Sequence, residues 1–130
     1  MSPVLLDTGA IVALFDRSER HHRPSVNALE GVEGVLVTCE AVVTESCYLL
    51  RRLSGAAETV LDQVERGVFQ IPFQLSQSAA PVRSILRKYR DVPADFADAC
   101  LIHLADQLNT GDILTLDRDF KTYRWRKNRP

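Results

Sequence analysis

Five acidic residues stand where a sheet and its helices could bring carboxylates together. Asp7 and Asp117 each follow a short run of mostly aliphatic residues, while Glu45, Asp95 and Asp98 lie in stretches with helical spacing. In an open parallel sheet, ligand sites lie outside the carboxyl ends of the strands, where the following helices begin. Like charges brought together there raise one another's pKa, and a divalent cation relieves the repulsion. Because the set contains only oxygen donors, it favours Mg²⁺ or Mn²⁺.

A cation held by such a cluster can activate water and neutralise charge on a phosphodiester during in-line displacement. Each acid also has an ordinary structural use. Asp7 can cap the helix that follows it, and a helical glutamate such as Glu45 usually faces solvent. Asp95 and Asp98 share the first turn of a predicted helix, where the helix dipole stabilises negative charge. That explanation accounts for one of these two aspartates more readily than for both.

The elements that must position these acids follow from the hydrophobic pattern. Short apolar runs predict strands at 4–6, 35–37, 68–71 and 112–116, and alternation of Tyr123 and Trp125 with arginines predicts a last, partly exposed strand. Two helical segments lie between each consecutive pair of the first four strands. The order β-α-α-β-α-α-β-α-α-β predicts an α/β fold with a parallel sheet.

Periodicity and breaker residues also predict helix limits. The helices are expected at 10–15, from Pro24 toward Gly31, at 40–53, at 56–66 with Gly67 as the cap, from 78–81 onward, and after a cap at Ala94 or Asp95. Val60, Leu61 and Val64 are expected to face the core. His103 is expected to be structural, because it lies on a different side of its helix from Asp98.

Composition limits the remaining possibilities. A chain of 130 residues with 45% hydrophobic content is expected to form one domain, and a net charge of −1 gives no global attraction to nucleic acid. Any such attraction must come from local patches, such as the five basic residues between 121 and 129. Three cysteines without CxxC spacing, no signal peptide and no apolar run near about 18 residues predict a soluble cytoplasmic protein. The adjacent His21 and His22 point in different directions, which disfavours a shared metal.

Four motifs carry a resemblance to a known family. They are V-L-L-D-T-G-A-I-V-A-L, V-V-T-E-S-C-Y-L-L, D-F-A-D-A-C-L-I-H-L-A and I-L-T-L-D-R-D-F, in this order along essentially the whole chain. The sequence resembles the PIN-domain ribonucleases, the fold of the VapC-type toxins of bacterial toxin–antitoxin pairs. The resemblance implies a single PIN-like domain over 1–130, a three-layer sandwich with a mainly parallel central sheet flanked by helices. It also implies Mg²⁺- or Mn²⁺-dependent RNA cleavage that leaves a 5′-phosphate and a 3′-hydroxyl, a homodimer and a small antitoxin partner.

Carried over residue by residue, the resemblance makes Asp7, Glu45, Asp98 and Asp117 the metal-binding catalytic acids. Asp95 matches a subgroup of the family that has a second aspartate in the third motif. At the last motif, the choice between Asp117 and Asp119 stays open. Asp117 is preferred because it comes first after the apolar strand, as Asp7 does.

Three other functions share features with this sequence. Residues 5–10, L-L-D-T-G-A, also match the active-site turn of retroviral-type aspartic proteases, but those are nearly all-β dimers and this chain is mostly helical by pattern. A phosphatase with an aspartyl nucleophile would have a second acid where Gly9 stands. The remaining alternative is a catalytically degenerate PIN-like module that binds RNA or protein without cutting, and the presence of all four acids argues against it.

Overall fold

Strands and helices follow one another in the predicted order. The computed structural model describes residues 3–91, 95–110, 112–114 and 122–124. Its elements are β1 Val4–Leu6, α1 Thr8–Phe15, α2 His22–Glu30, β2 Leu36–Val37, α3 Glu40–Leu49, α4 Ala56–Glu65, β3 Phe69–Gln70, α5 Leu75–Lys88, α6 Phe96–Leu108, β4 Asp112–Leu114 and β5 Thr122–Arg124.

The sheet is built around β1. Its strand order is β3-β2-β1-β4-β5, in which β1 pairs in parallel with β2 and β4, β2 pairs in parallel with β3, and β5 is antiparallel to β4. All three residues of β1 are buried, because a parallel sheet is covered on both faces. The strand order reverses beside β1, so the chain leaves this strand at the topological switch point, where α/β sheets bind ligands.

Two predicted helix limits were wrong by three residues or more, while α1 and α2 each begin two residues before the predicted start. α5 begins at Leu75 rather than at 78–81, so Pro81 lies inside the helix although it cannot donate a backbone hydrogen bond there. The helix continues through Pro81 because Ser78 and Val82, one turn apart, are both buried, and tertiary packing supplies most of a helix's stability. α3 ends at Leu49 rather than at Leu53, and its capping residue Leu50 is buried.

The core-facing side of α4 was also predicted incorrectly in part. Val60 is fully buried, but Leu61 is 53% exposed. Neighbouring helical residues project about 100° apart, so Val60 and Leu61 do not both face the core. Among the described residues, no helix is long and apolar enough to cross a membrane.

A buried hydroxyl links the central strand to its neighbour. Thr38, fully buried directly after β2, donates a side-chain hydrogen bond of 3.0 Å to the carbonyl oxygen of Leu6. The backbone N–H of Thr38 donates to the carbonyl of Gln70 on β3. These contacts tie the carboxyl ends of three strands together immediately before Asp7.

Candidate active site

Asp7 lies at the carboxyl end of the central strand and caps α1. It has extended backbone angles, it is half-buried, and its Oδ1 accepts a 2.9 Å hydrogen bond from the backbone N–H of Ala10. Asp7 therefore does cap the helix that follows it, as the sequence allowed. Capping does not exclude metal binding, because a carboxylate offers about four acceptor positions over its two oxygens.

Glu45 is held beside this turn by a hydroxyl that the sequence had not singled out. Its Oε1 accepts a 2.6 Å hydrogen bond from Oγ1 of Thr8, the residue next to Asp7. Glu45 is the sixth residue of α3 and is half-buried, so it lies in the second turn rather than at the very start of the helix. The Thr8 contact brings the acid of α3 to the end of β1. The only sequence signal for it was a hydroxyl next to a candidate aspartate.

Asp95 and Asp98 form a reciprocal cap at the start of α6. Oδ1 of Asp95 accepts a 2.9 Å hydrogen bond from the backbone N–H of Asp98, and Oδ2 of Asp98 accepts a 3.2 Å bond from that of Asp95. Of the two predicted caps, Ala94 or Asp95, the N-cap is Asp95. The helix dipole and these bonds favour negative charge at this position, but at Asp98 burial and neighbouring negative charges oppose them.

Electrostatic repulsion acts between an acid of α6 and an acid of α3. The pKa of Asp98 is raised above its ordinary value, first because its carboxyl group is partly buried and then because of the negative charges of Asp95 and Glu45. The residue as a whole is exposed. Glu45 and Asp98 are therefore close enough to repel each other. A site that raises the pKa of a carboxyl in this way favours a bound cation.

The donor chemistry fits a hard divalent ion. The acids contribute oxygen alone, and the nearby thiols of Cys39 and Cys100 are fully buried. Burial raises both thiol pKa values, that of Cys100 to about 12, so both stay neutral and are poor metal ligands. Within the described ranges, no three His, Cys, Asp or Glu residues are grouped closely enough to hold an ion. Asp117 and Asp119 lie outside the described residues, as does most of the basic tail.

The histidines have other contacts. Nδ1 of His22 lies 2.8 Å from the carbonyl oxygen of Ala13, which ties the start of α2 to α1. His103 packs edge-on against Phe73 with ring centroids 5.9 Å apart, in keeping with its predicted structural use.

A groove of about 790 Å³ lies away from the candidate site acids. Its lining includes Leu14 and Phe15 in the last turn of α1, together with His22, Leu53 and Thr59. Asp7 caps the opposite end of α1, and an eight-residue helix is about 12 Å long. This groove is therefore separate from the acids.

The raised pKa of Asp98 has a consequence for stability. A carboxyl whose pKa is higher in the folded than in the unfolded state contributes stability that is fully present below the unfolded pKa and is lost as pH rises through the folded pKa. We therefore expect Asp98→Asn to raise the Tm at pH 7 in EDTA, because asparagine can still accept the N–H of Asp95 without carrying charge. Calorimetry at several pH values checks this. The gain should disappear below pH 3.8, the ordinary pKa, and a gain that persists there would contradict the electrostatic explanation.

Comparison with known proteins identifies the family and agrees with this fold. Residues 4–126 match the PIN domain family. The chain belongs to the PIN-domain family, and the predicted α/β sandwich with a mainly parallel sheet is confirmed. It is 32% identical over 117 residues to ribonuclease VapC26 of Mycobacterium tuberculosis, covering 88% of this chain and 87% of that protein.

A solved structure is similar over nearly the whole fold. The crystal structure of Mycobacterium tuberculosis VapC20, described as a toxin that cleaves the sarcin–ricin loop, superposes with a TM-score of 0.80 at 18% identity. The match covers 90% of this chain and 92% of that one. At this identity the likeness supports the fold.

Proposed function

We propose that this protein is a Mg²⁺- or Mn²⁺-dependent ribonuclease that serves as the toxin of a toxin–antitoxin pair. The observation that carries the proposal is the approach of acids distant in sequence to one edge of the sheet. Asp7 directly follows β1, and Glu45 accepts a hydrogen bond from Thr8, the residue next to Asp7. The negative charge of Glu45 contributes to the raised pKa of Asp98. The relationship to a named ribonuclease over most of both chains supports the same conclusion.

In this proposal, Asp7, Asp98 and Asp117 hold the metal, with Asp95 beside them. Asp117 is assigned from sequence alone. When bound, the cation activates water and offsets negative charge on the phosphodiester. Glu45, whose Oε1 is oriented by Thr8, helps to hold the ion or orients the attacking water. Because water attacks phosphorus directly, no protein nucleophile is needed, and the products carry a 5′-phosphate and a 3′-hydroxyl.

The proposed biological setting follows from the family. We propose that the chain is a single PIN-like domain over 1–130, that it acts in the cytoplasm, and that a small antitoxin protein covers the carboxylate edge. The similar proteins carry the name VapC, and one of them is described as a toxin. That description supports the toxin assignment, while the antitoxin itself is a separate molecule to be identified.

The test is cleavage of single-stranded RNA by the purified full chain, with analysis of the product ends. We expect degradation that leaves 5′-phosphates. A contaminating nuclease that uses the ribose 2′-hydroxyl as its nucleophile leaves 5′-hydroxyl ends. The product ends therefore distinguish cleavage by this protein from cleavage by such a contaminant. RNA binding without cleavage in Mg²⁺ or Mn²⁺ would instead identify the non-cutting PIN-like module. Mapping 5′ ends in cellular RNA after expression would then define the target.

Thr8→Val should lower the rate of RNA cleavage about 10-fold. Valine keeps the shape of threonine but removes the hydroxyl that donates to Glu45, and a hydrogen bond to a charged group contributes about 1.5 kcal/mol or more. The measurement is kcat on a labelled RNA oligonucleotide. Thr8→Ser is the matched control, because it retains the donor and should stay near wild type. Equal losses in both variants would contradict this role of the hydroxyl, because Thr8→Ser retains it.

We expect the protein to be a homodimer at micromolar concentration. Tyr48 and Leu49, at the end of α3, are 61% and 52% exposed, which leaves large apolar side chains in water on that face. Covering them against a second copy would remove that cost. Light scattering coupled to size exclusion measures the mass directly. A clean monomer mass at these concentrations would contradict the proposal.

A further inference from the structure

α5 carries positive charge that the proposed site does not use. Between residues 75 and 90 the chain has four basic residues, Arg83, Arg87, Lys88 and Arg90, and no acidic residue. All four are exposed. The net charge of the chain is −1, so this segment is a local concentration of positive charge.

Three of these residues lie along one line. Arg83, Arg87 and Arg90, the arginine stripe, are spaced by four and then three residues, which places them on the same face of a helix. Arg90 follows the helix, but its backbone N–H bonds to the carbonyl of Arg87, so the final turn continues toward it. The core is covered by a different side of α5, where Val82 is buried. The stripe therefore faces solvent along more than one turn.

Ordinary structural uses do not explain the stripe. Cations in the last turn of a helix interact favourably with its dipole, which accounts for Arg87 and Lys88 but not for Arg83. Within the described part of the chain, none of the three stripe arginines forms an ion pair, whereas Arg66 pairs with Asp62 at 3.2 Å. Elsewhere, the guanidinium of Arg51 lies 4.0 Å above the ring of Tyr48. Among those residues, no stripe arginine has an ion pair or a cation–π contact of this kind.

The stripe lies near Asp95 and Asp98 at the amino end of α6. α5 and α6 pack against each other and are joined by a short connection from Tyr89 to Asp95. Consecutive helices joined in this way run antiparallel, so the carboxyl end of α5 lies beside the amino end of α6. Arg87 and Arg90 are therefore at the same end of the helix pair as Asp95 and Asp98, and Arg83 lies about 6 Å further along α5.

We infer that the arginine stripe binds the phosphates of single-stranded RNA next to the scissile bond. The inference rests on the proposed ribonuclease function. A carboxylate cluster repels RNA, so a neighbouring positive surface is needed to hold the strand there. Guanidinium groups bind phosphate in a bidentate manner, and a row of three suits a polyanion. Phosphate contacts of this kind position the strand without reading its sequence.

The test measures binding of a labelled single-stranded RNA oligonucleotide to the full chain in EDTA over a series of salt concentrations. Each phosphate contact contributes about 0.7 to the slope of log K against log salt for single strands. The triple variant Arg83→Gln, Arg87→Gln, Arg90→Gln should therefore lower the magnitude of the slope by about 2. In cleavage assays it should raise KM while largely preserving kcat, because the lost contacts are equal in ground and transition states.

A matched control removes the same charge elsewhere. The triple Arg23→Gln, Arg52→Gln, Arg66→Gln replaces exposed arginines outside the stripe and should leave the slope near wild type. An unchanged slope in the stripe variant would overturn the inference and point to a protein partner for this face. An equal change in both triples would also overturn it, by attributing binding to overall charge. Failure of wild type to cleave RNA in Mg²⁺ or Mn²⁺ would refute the ribonuclease function separately, since binding is measured without metal.

Discussion

Purified protein is expected to stop cleaving RNA in EDTA and to recover when Mg²⁺ or Mn²⁺ is restored in excess. The candidate site consists of carboxylates, and the proposed reaction has no protein nucleophile to act in place of an activated water. Each of the three described histidines has another contact: His22 with the carbonyl of Ala13, His103 with the ring of Phe73, and His21, whose Nε2 accepts a hydrogen bond from Nε–H of Arg20. Loss of the metal should therefore remove activity rather than reduce it.

Calcium provides the sharper comparison. Ca²⁺ prefers more ligands at longer distances than Mg²⁺ does, which spoils tight octahedral geometry, so it should bind without supporting cleavage. Initial rates on a labelled RNA across a titration of each metal measure the difference. Thermal melting in EDTA serves as the control for folding. Equal cleavage in EDTA would show that the acids do not form a metal site, and the proposed mechanism would be wrong.

Asp117→Asn is expected to lower RNA cleavage by about a hundredfold or more, while Asp119→Asn leaves most of it. Both residues lie outside the described part of the structure, so the prediction rests on the sequence. Asp117 follows its apolar run as Asp7 follows β1, and β4 is the parallel neighbour of β1. Losing a metal ligand should remove several kcal/mol of transition-state stabilisation.

Asp119 is expected to have a less demanding use, as a cap or in a surface ion pair. It stands between Arg118 and Lys121 in sequence, where a surface ion pair is worth about 0–1 kcal/mol. Single-turnover rates for the two variants, with circular dichroism to show that both are folded, decide between them. The reverse result would place the fourth acid at Asp119 and leave the remaining acids as proposed.

The sequence by itself determined the features that depend on local rules. Burial of Val4–Leu6, the alternation of one strand with two helices, and a cap at position 94 or 95 all follow from residue types and short spacings. The motifs also indicated the family, which the match over residues 4–126 confirms, and they predicted which acids form the site. These features were predictable because hydrophobic periodicity and capping act over a few residues.

Only the tertiary structure decided which elements meet. Thr8 and Glu45 are 37 residues apart, and nothing local in either motif indicates their hydrogen bond. Pro81 lies inside α5 and Leu61 is exposed because the packing of each helix determines where it begins and which face is buried. The central position of β1, which places Asp7 at the switch point, likewise depends on strand pairing across the chain. Such contacts depend on the three-dimensional arrangement of distant segments, which a local pattern does not contain.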